Sequence, residues 1–198
     1  MNHKPLNRQD LARRSVCVFC GSMHGAKPVY AAAAKKMGEL IAESGYSLIF
    51  GGGNVGLMGE VARAARDGGA SVYGILPEFL KHLEPPLPTR EKVVITPNLQ
   101  SRKELMLSKA DAFVVLPGGL GTLDEYFEVL TSAQLNVLGK PIVLVNVEDY
   151  YAPLLALLKQ ITDEGFARPS VFSLHHVVPT AEAAIDALNG LLQPQLQA

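Results

Sequence analysis

The segment Pro117-Gly118-Gly119-Leu120-Gly121-Thr122 follows the most apolar short run of the chain and opens a stretch of helical periodicity. Glycines let a backbone approach a ligand closely, and the first turn of a helix offers unpaired N–H groups and the positive end of its dipole. Together these features suit a phosphate, with Gly118, Gly119, Gly121 and the Thr122 hydroxyl as the contacts. The loop lacks the Gly-Lys-Ser/Thr ending of a Walker A loop, which argues against a kinase or ATPase and leaves a phosphorylated ligand of another kind. Glu125 stands one helical turn further on and has two readings. It could close a capping box, Thr122-Leu-Asp-Glu125, and do nothing else, or it could face the ring of a bound sugar ester. Arg102 is equally two-sided: a surface arginine near the helix start Ser101–Glu104, or a fixed cation in the same site.

Two further turns end in small residues, Cys20-Gly21-Ser22 and Gly51-Gly52-Gly53-Asn54-Val55-Gly56. The second fits G-x-G-x-x-G between a strand and a helix, with Glu78 near the place of a ribose-binding carboxylate, so a nicotinamide or flavin cofactor is one reading and tight helix–strand packing is another. Ser22, Gly52 and Gly53 are candidate contacts for an anionic ligand at that edge. Cys17 and Cys20 spell C-x-x-C. In the apolar, β-branched run SVCVFC, strand geometry puts them on opposite faces about 10 Å apart, so buried core thiols are expected rather than a disulfide or a metal site.

The elements that must position these residues alternate along the chain. Short apolar runs at Val16–Phe19, Ser47–Phe50, Ser71–Leu76, Lys92–Ile95, Ala112–Leu116 and Ile142–Val145, with a weaker one at His176–Val178, read as strands. Between them Pro28–Ser44, Gly56–Asp67, Ser101–Lys109, Thr122–Leu138 and Tyr150–Glu164 carry apolar residues at three- and four-residue spacing, and Thr180 caps a last helix over Ala181–Leu192. This pattern predicts an α/β fold, a doubly wound, Rossmann-like and mostly parallel sheet of about six or seven strands flanked by helices. Ligands of such sheets bind beyond the carboxyl ends of the strands, where all three small-residue turns lie. Pro77–Thr89 is the one long loop.

The chain has 198 residues, 48% of them hydrophobic and 19% charged, with a formal charge of −1. That suffices for a buried core, excludes a disordered chain, and offers no basic excess for nucleic acid. No apolar run reaches the length that spans a bilayer. The first 13 residues read as a flexible polar tail without the apolar core of a signal peptide, residues 14–193 as one domain, and the protein as cytoplasmic.

Taken together, CVFCGS at 17–22, GGGNVGLMGEVARAA at 51–65, SRKELM at 101–106 and PGGLGTLDE at 117–125 resemble the LOG (Lonely Guy) family. The likeness continues through TSAQLNVLGKPIVLVN at 131–146, YY at 150–151 and EGF at 164–166. The resemblance implies a Rossmann-like nucleotide-binding domain, in most cases a homodimer, that hydrolyses the N-glycosidic bond of a nucleoside 5′-monophosphate. The family's substrates are cytokinin nucleotides and, in many bacterial members, AMP. It implies that Arg102 and Glu125 are catalytic, that the 117–122 loop holds the 5′-phosphate, and that Lys103, Glu84 and Thr131 line the nucleotide site. No metal or cofactor is implied. Members are often labelled lysine decarboxylases, yet no pyridoxal-phosphate lysine motif is present here. Gln100 replaces the family's usual histidine, and Ser132 an aromatic after Thr131, which bears on base preference. The same scaffold serves molybdenum-cofactor carriers, so a non-catalytic nucleotide or cofactor carrier is the alternative. Retention of both Arg102 and Glu125 favours the enzyme.

Overall fold

The computed structural model describes residues 14–81 and 92–192. In strand β1 (Ser15–Phe19) all five residues are buried, because its two faces are both covered. Val16 and Val18 point into one apolar cluster, Cys17 and Phe19 into a second, as the two-residue period of a strand requires. The other strands are β2 (Ser47–Phe50), β3 (Val72–Pro77), β4 (Lys92–Thr96), β5 (Ala112–Val115), β6 (Ile142–Val145) and β7 (His176–Val178). Among the described residues they form one seven-stranded sheet in the order β4-β3-β2-β1-β5-β6-β7. Every pairing is parallel. The direction of travel reverses between β1 and β5, the switch point at which doubly wound sheets open a crevice.

Helices α1 (Pro28–Glu43), α2 (Gly56–Asp67) and α6 (Ala181–Leu191) cover the face of the first cluster, and α3 (Leu99–Lys109), α4 (Leu120–Gln134) and α5 (Ala152–Asp163) the second. Local signals set most ends. Pro28 starts α1 and Gly45, at φ 72°, follows its end. The Thr180 hydroxyl accepts the Ala183 N–H and caps α6, as the sequence predicts.

Three helices depart from expectation near the carboxyl edge of the sheet, α5 by starting at Ala152 rather than Tyr150. α3 begins at Leu99 rather than Ser101, because the Asn98 carboxamide caps it by accepting the Ser101 N–H at 2.8 Å. α4 begins at Leu120 rather than Thr122, with Gly119 at the cap position, and stops at Gln134 rather than Leu138, where Asn136 turns left-handed at φ 56°. The expected tail at residues 1–13, the last residue of the expected domain (Gln193) and most of the Pro77–Thr89 loop, including Glu84, lie outside the described residues. What is described of that loop is a single 3₁₀ turn, Glu78–Leu80.

Candidate active site

The shift in the start of α4 removes the capping-box reading of Glu125. A capping box needs Thr122 at the cap, but Thr122 is the third helical residue and the helix start carries no side-chain cap. Glu125 instead turns inward, with 7% of its surface exposed, and its Oε1 lies 2.9 Å from Nη2 of Arg102. Arg102 reaches it from the second turn of α3, a position set by the Asn98 cap. Its Nε is buried without a partner among the described residues. A buried donor without a partner is costly, and a ligand in the cleft is one way to satisfy it.

The pair lies in a cleft of about 210 Å³ at the carboxyl edge of the sheet. One wall is the uncapped start of α4, from Gly119 through Thr122 to Glu125. Facing it are Leu99, Arg102 and Lys103 of α3, and Cys20, Ser22 and Met58 complete the floor. A methyl group added at Gly119 or Gly121 would meet nothing within 4 Å, so both backbones lie open. The first N–H groups of a helix have no intrahelical partner, and with the positive end of the helix dipole they suit an anion; of the charged side chains at the cleft, Arg102 and Lys103 are offset by Asp124 and Glu125. The Lys103 ammonium bridges Asp124 at 3.0 Å and Glu128 at 2.5 Å. Burial alone would lower its pKa, but the hydrogen bonds to Glu128 and Asp124 prevail and hold it above the ordinary lysine value.

The three small-residue turns meet as expected, but with different tasks. Gly21 N–H donates to Pro117 O at 3.1 Å, and Gly21 O accepts the Leu57 and Met58 N–H groups at 3.0 and 3.3 Å. The start of α2 is therefore already satisfied by the protein's own carbonyl, and the N–H groups that a dinucleotide's pyrophosphate would use there are engaged. A side chain on Gly118 would overlap Thr122 and come within 2.9 Å of Gly21 N. Gly118 is thus required by loop-to-loop contact, while Gly119 and Gly121 lie open at the cleft.

Some predicted positions do not line this cleft. Gly52 turns at φ 81° against Leu76 and Ile75 of β3, and Gly53 is buried beside it. Thr131 is exposed further along α4. Gly51, in contrast, is a residue that sequence reasoning passed over. A β-carbon there would overlap the Arg102 guanidinium and approach Met58 Sδ at 2.9 Å. Leu99, Met58 and Cys20 also went unforeseen as lining residues, and only the α3 cap and the crossing of the turns could have revealed them.

Both cysteines are free and buried on opposite faces of the sheet, as strand geometry predicts. Burial pushes the Cys20 thiol well above its ordinary pKa; the Glu125 charge adds to this and Arg102 opposes it. The same order of causes raises Cys17. On the far side of the Gly118–Gly119 backbone lies a second, more apolar cleft of about 350 Å³ that shares Ser22 and Gly119 with the first and is walled by Tyr30, Leu57, Pro117 and Tyr150.

Fold and site define a doubly wound α/β protein with an uncapped helix start at a cleft by its switch point and a buried arginine–carboxylate pair beside it. A family model described as "Possible lysine decarboxylase" matches residues 58–188. A probable cytokinin riboside 5′-monophosphate phosphoribohydrolase of Oryza sativa subsp. japonica is 42% identical over 175 residues, 88% of this chain and 72% of that protein. A cytokinin riboside 5′-monophosphate phosphoribohydrolase of Arabidopsis thaliana is 41% identical over 88% of this chain and 81% of its own. One from Rhodococcoides fascians is 42% identical, over 88% and 89%. The chain belongs to this phosphoribohydrolase family, as the motif resemblance implies. The solved structure of a molybdenum cofactor binding protein from Rippkaea orientalis shares the fold, with a TM-score of 0.70 and 22% identity over 92% of this chain and 99% of that one. The decarboxylase description finds no counterpart in the cleft: Schiff-base chemistry needs a neutral amine, and Lys103 is held protonated between two carboxylates.

Proposed function

We propose that the chain hydrolyses the N-glycosidic bond of a nucleoside 5′-monophosphate, AMP or a cytokinin riboside monophosphate, to the free base and ribose 5-phosphate. The observation that carries this reading is the Arg102–Glu125 contact, 2.9 Å, in the same cleft as the uncapped start of α4. A phosphate seated on the Gly119–Thr122 N–H groups puts the ester's ribose about one helical turn along α4, beside Glu125. Glycosidic cleavage passes through an oxocarbenium-like state in which positive charge grows on the ribose while electrons move to the base. The Glu125 carboxylate stabilises that charge and orients water at the anomeric carbon. Arg102 holds Glu125 in place. Lys103, paired with Asp124 and Glu128, lies beside them at the cleft.

The curated relatives, named for this activity, support the same reading. The likeness to a molybdenum-cofactor protein is one of fold, and the catalytic pair is more than a carrier requires. A cytoplasmic homodimer is part of the proposal. The free thiols fit a reducing compartment, and Leu135 and Val137, beyond α4, expose 66% and 77% of their surface. The test is chromatographic detection of adenine after incubation with AMP. Wild type should release adenine, and Glu125→Gln should be at least about a hundredfold slower. Equal rates would remove Glu125 from the chemistry. No release from any nucleoside monophosphate would favour the carrier.

A further inference from the structure

Four successive carbonyls at the phosphate loop all have partners. Leu116 O accepts the Tyr151 hydroxyl at 2.7 Å and Gly118 O the Tyr150 hydroxyl at 2.6 Å. Between them Pro117 O accepts the Gly21 N–H, and Gly119 O accepts the Leu123 N–H as the first bond of α4. In a trans peptide the carbonyl and the following N–H point in opposite directions. Tyr150 and Gly118 line the second cleft and Gly119 lines both, so this bond holds the Gly118 carbonyl on the tyrosine's side and directs the Gly119 N–H away from it.

The turn that delivers these two hydroxyls is strained. Glu148 and Asp149, immediately before the tyrosines, sit at φ 45° and 59°, where side chains other than glycine are disfavoured. The conformation is held from several directions. Asn146 Oδ1 accepts the Tyr151 N–H at 2.7 Å and its Nδ2 donates to Asp149, while Glu148 pairs with Lys27 at 2.8 Å. Strain retained at such cost in a loop points to a positional task.

We propose that Tyr150 is a positioning residue for the 5′-phosphate: its hydroxyl fixes the Gly118–Gly119 peptide so that the loop receives a phosphoryl group without reorganising. The assignment rests on the phosphate-site reading above. Tyr150 contributes to affinity for the phosphate and not to the bond-breaking step, and Tyr151, fully buried, fixes the strand end beneath it.

The experiment is calorimetric titration of wild type and Tyr150→Phe with ribose 5-phosphate and, separately, with adenosine, alongside steady-state kinetics with AMP. The variant should bind ribose 5-phosphate about tenfold more weakly, as expected for losing the orientation of one charge-assisted hydrogen bond. Its affinity for adenosine should not change, KM for AMP should rise by a similar factor, and kcat should stay within twofold. Equal weakening toward both ligands indicates a merely structural role and overturns the assignment, as does a fall in kcat at constant KM. Wild-type binding of ribose 5-phosphate with an unchanged variant overturns this assignment alone. A wild type with no affinity for ribose 5-phosphate overturns the phosphate-site reading and this assignment with it.

Discussion

Gly51→Ala tests the chemistry at a residue that does not touch substrate. Gly51 directly follows β2, and an added β-carbon would overlap the Arg102 guanidinium and approach the Met58 sulfur. Its φ is not in the left-handed region, so alanine adds no backbone strain. The Met58 sulfur is the far end of a flexible side chain and swings aside at little cost, but the guanidinium is held in a buried ion pair with Glu125. Pulling that pair apart should cost about 2–3 kcal/mol of stability. The guanidinium cannot move without leaving the 2.9 Å contact with Glu125, and its displacement removes an oriented charge from the reacting centre. Loss of one preorganised electrostatic contact costs about 100-fold in rate, roughly 2.7 kcal/mol of transition-state stabilisation. The assay is kcat/KM for adenine release from AMP together with a thermal melt. A melting temperature lower by about 4–12 °C, with the protein still folded at the assay temperature, and a rate two orders of magnitude lower is the expected result. Activity within threefold of wild type would refute the placement of Arg102 at the chemistry.

Two other consequences follow from burial. His175 is 5% exposed, packs edge-on against the Tyr126 ring at 6.0 Å and has an unpartnered Nδ1; burial lowers its pKa, partly countered by its hydrogen bond to Val171. Below the ordinary histidine pKa of about 6.5 the unfolded chain binds a proton that the folded one refuses. Stability should thus decline as pH falls from about 6.5 toward the depressed folded value, by at most about 1.4 kcal/mol per pH unit. Denaturant melts between pH 7.5 and 5.5 should show a shallower slope for His175→Phe, and identical slopes would exclude the effect. Cys17 and Cys20 are held protonated by burial, so iodoacetamide at pH 7.5 should label neither until the protein is unfolded, and rapid labelling of Cys20 in the native protein would contradict its placement.

The architecture was legible because each strand carries its own signature. A strand buried on both faces, as β1, β2, β3, β5 and β6 are, must be a short, continuous apolar run, and these and the more exposed edge strands β4 and β7 were located from apolar runs to within a residue. The position of the cleft was legible for a related reason: clustered glycines ahead of a helix have few uses, and Gly119 and Gly121 lie open at it. Helix starts were less so, since Asn98 and Gly119 compete as caps with Ser101 and Thr122, each three residues away.

Local chemistry alone also left the role of Glu125 undecided, because a capping box and an active-site carboxylate share the same spacing. Tertiary structure removed the capping box by starting α4 two residues early, and brought Arg102, 23 positions away in the chain, against the carboxylate. The same kind of contact gave Gly51 its task, engaged the start of α2 with the Gly21 carbonyl, and set two tyrosine hydroxyls on the loop after β5. Patterns of period and composition report which surfaces a segment buries, a property of the segment itself. Which side chain meets which across the switch point depends on the order and register of parallel strands, and that is settled only when the whole sheet has closed.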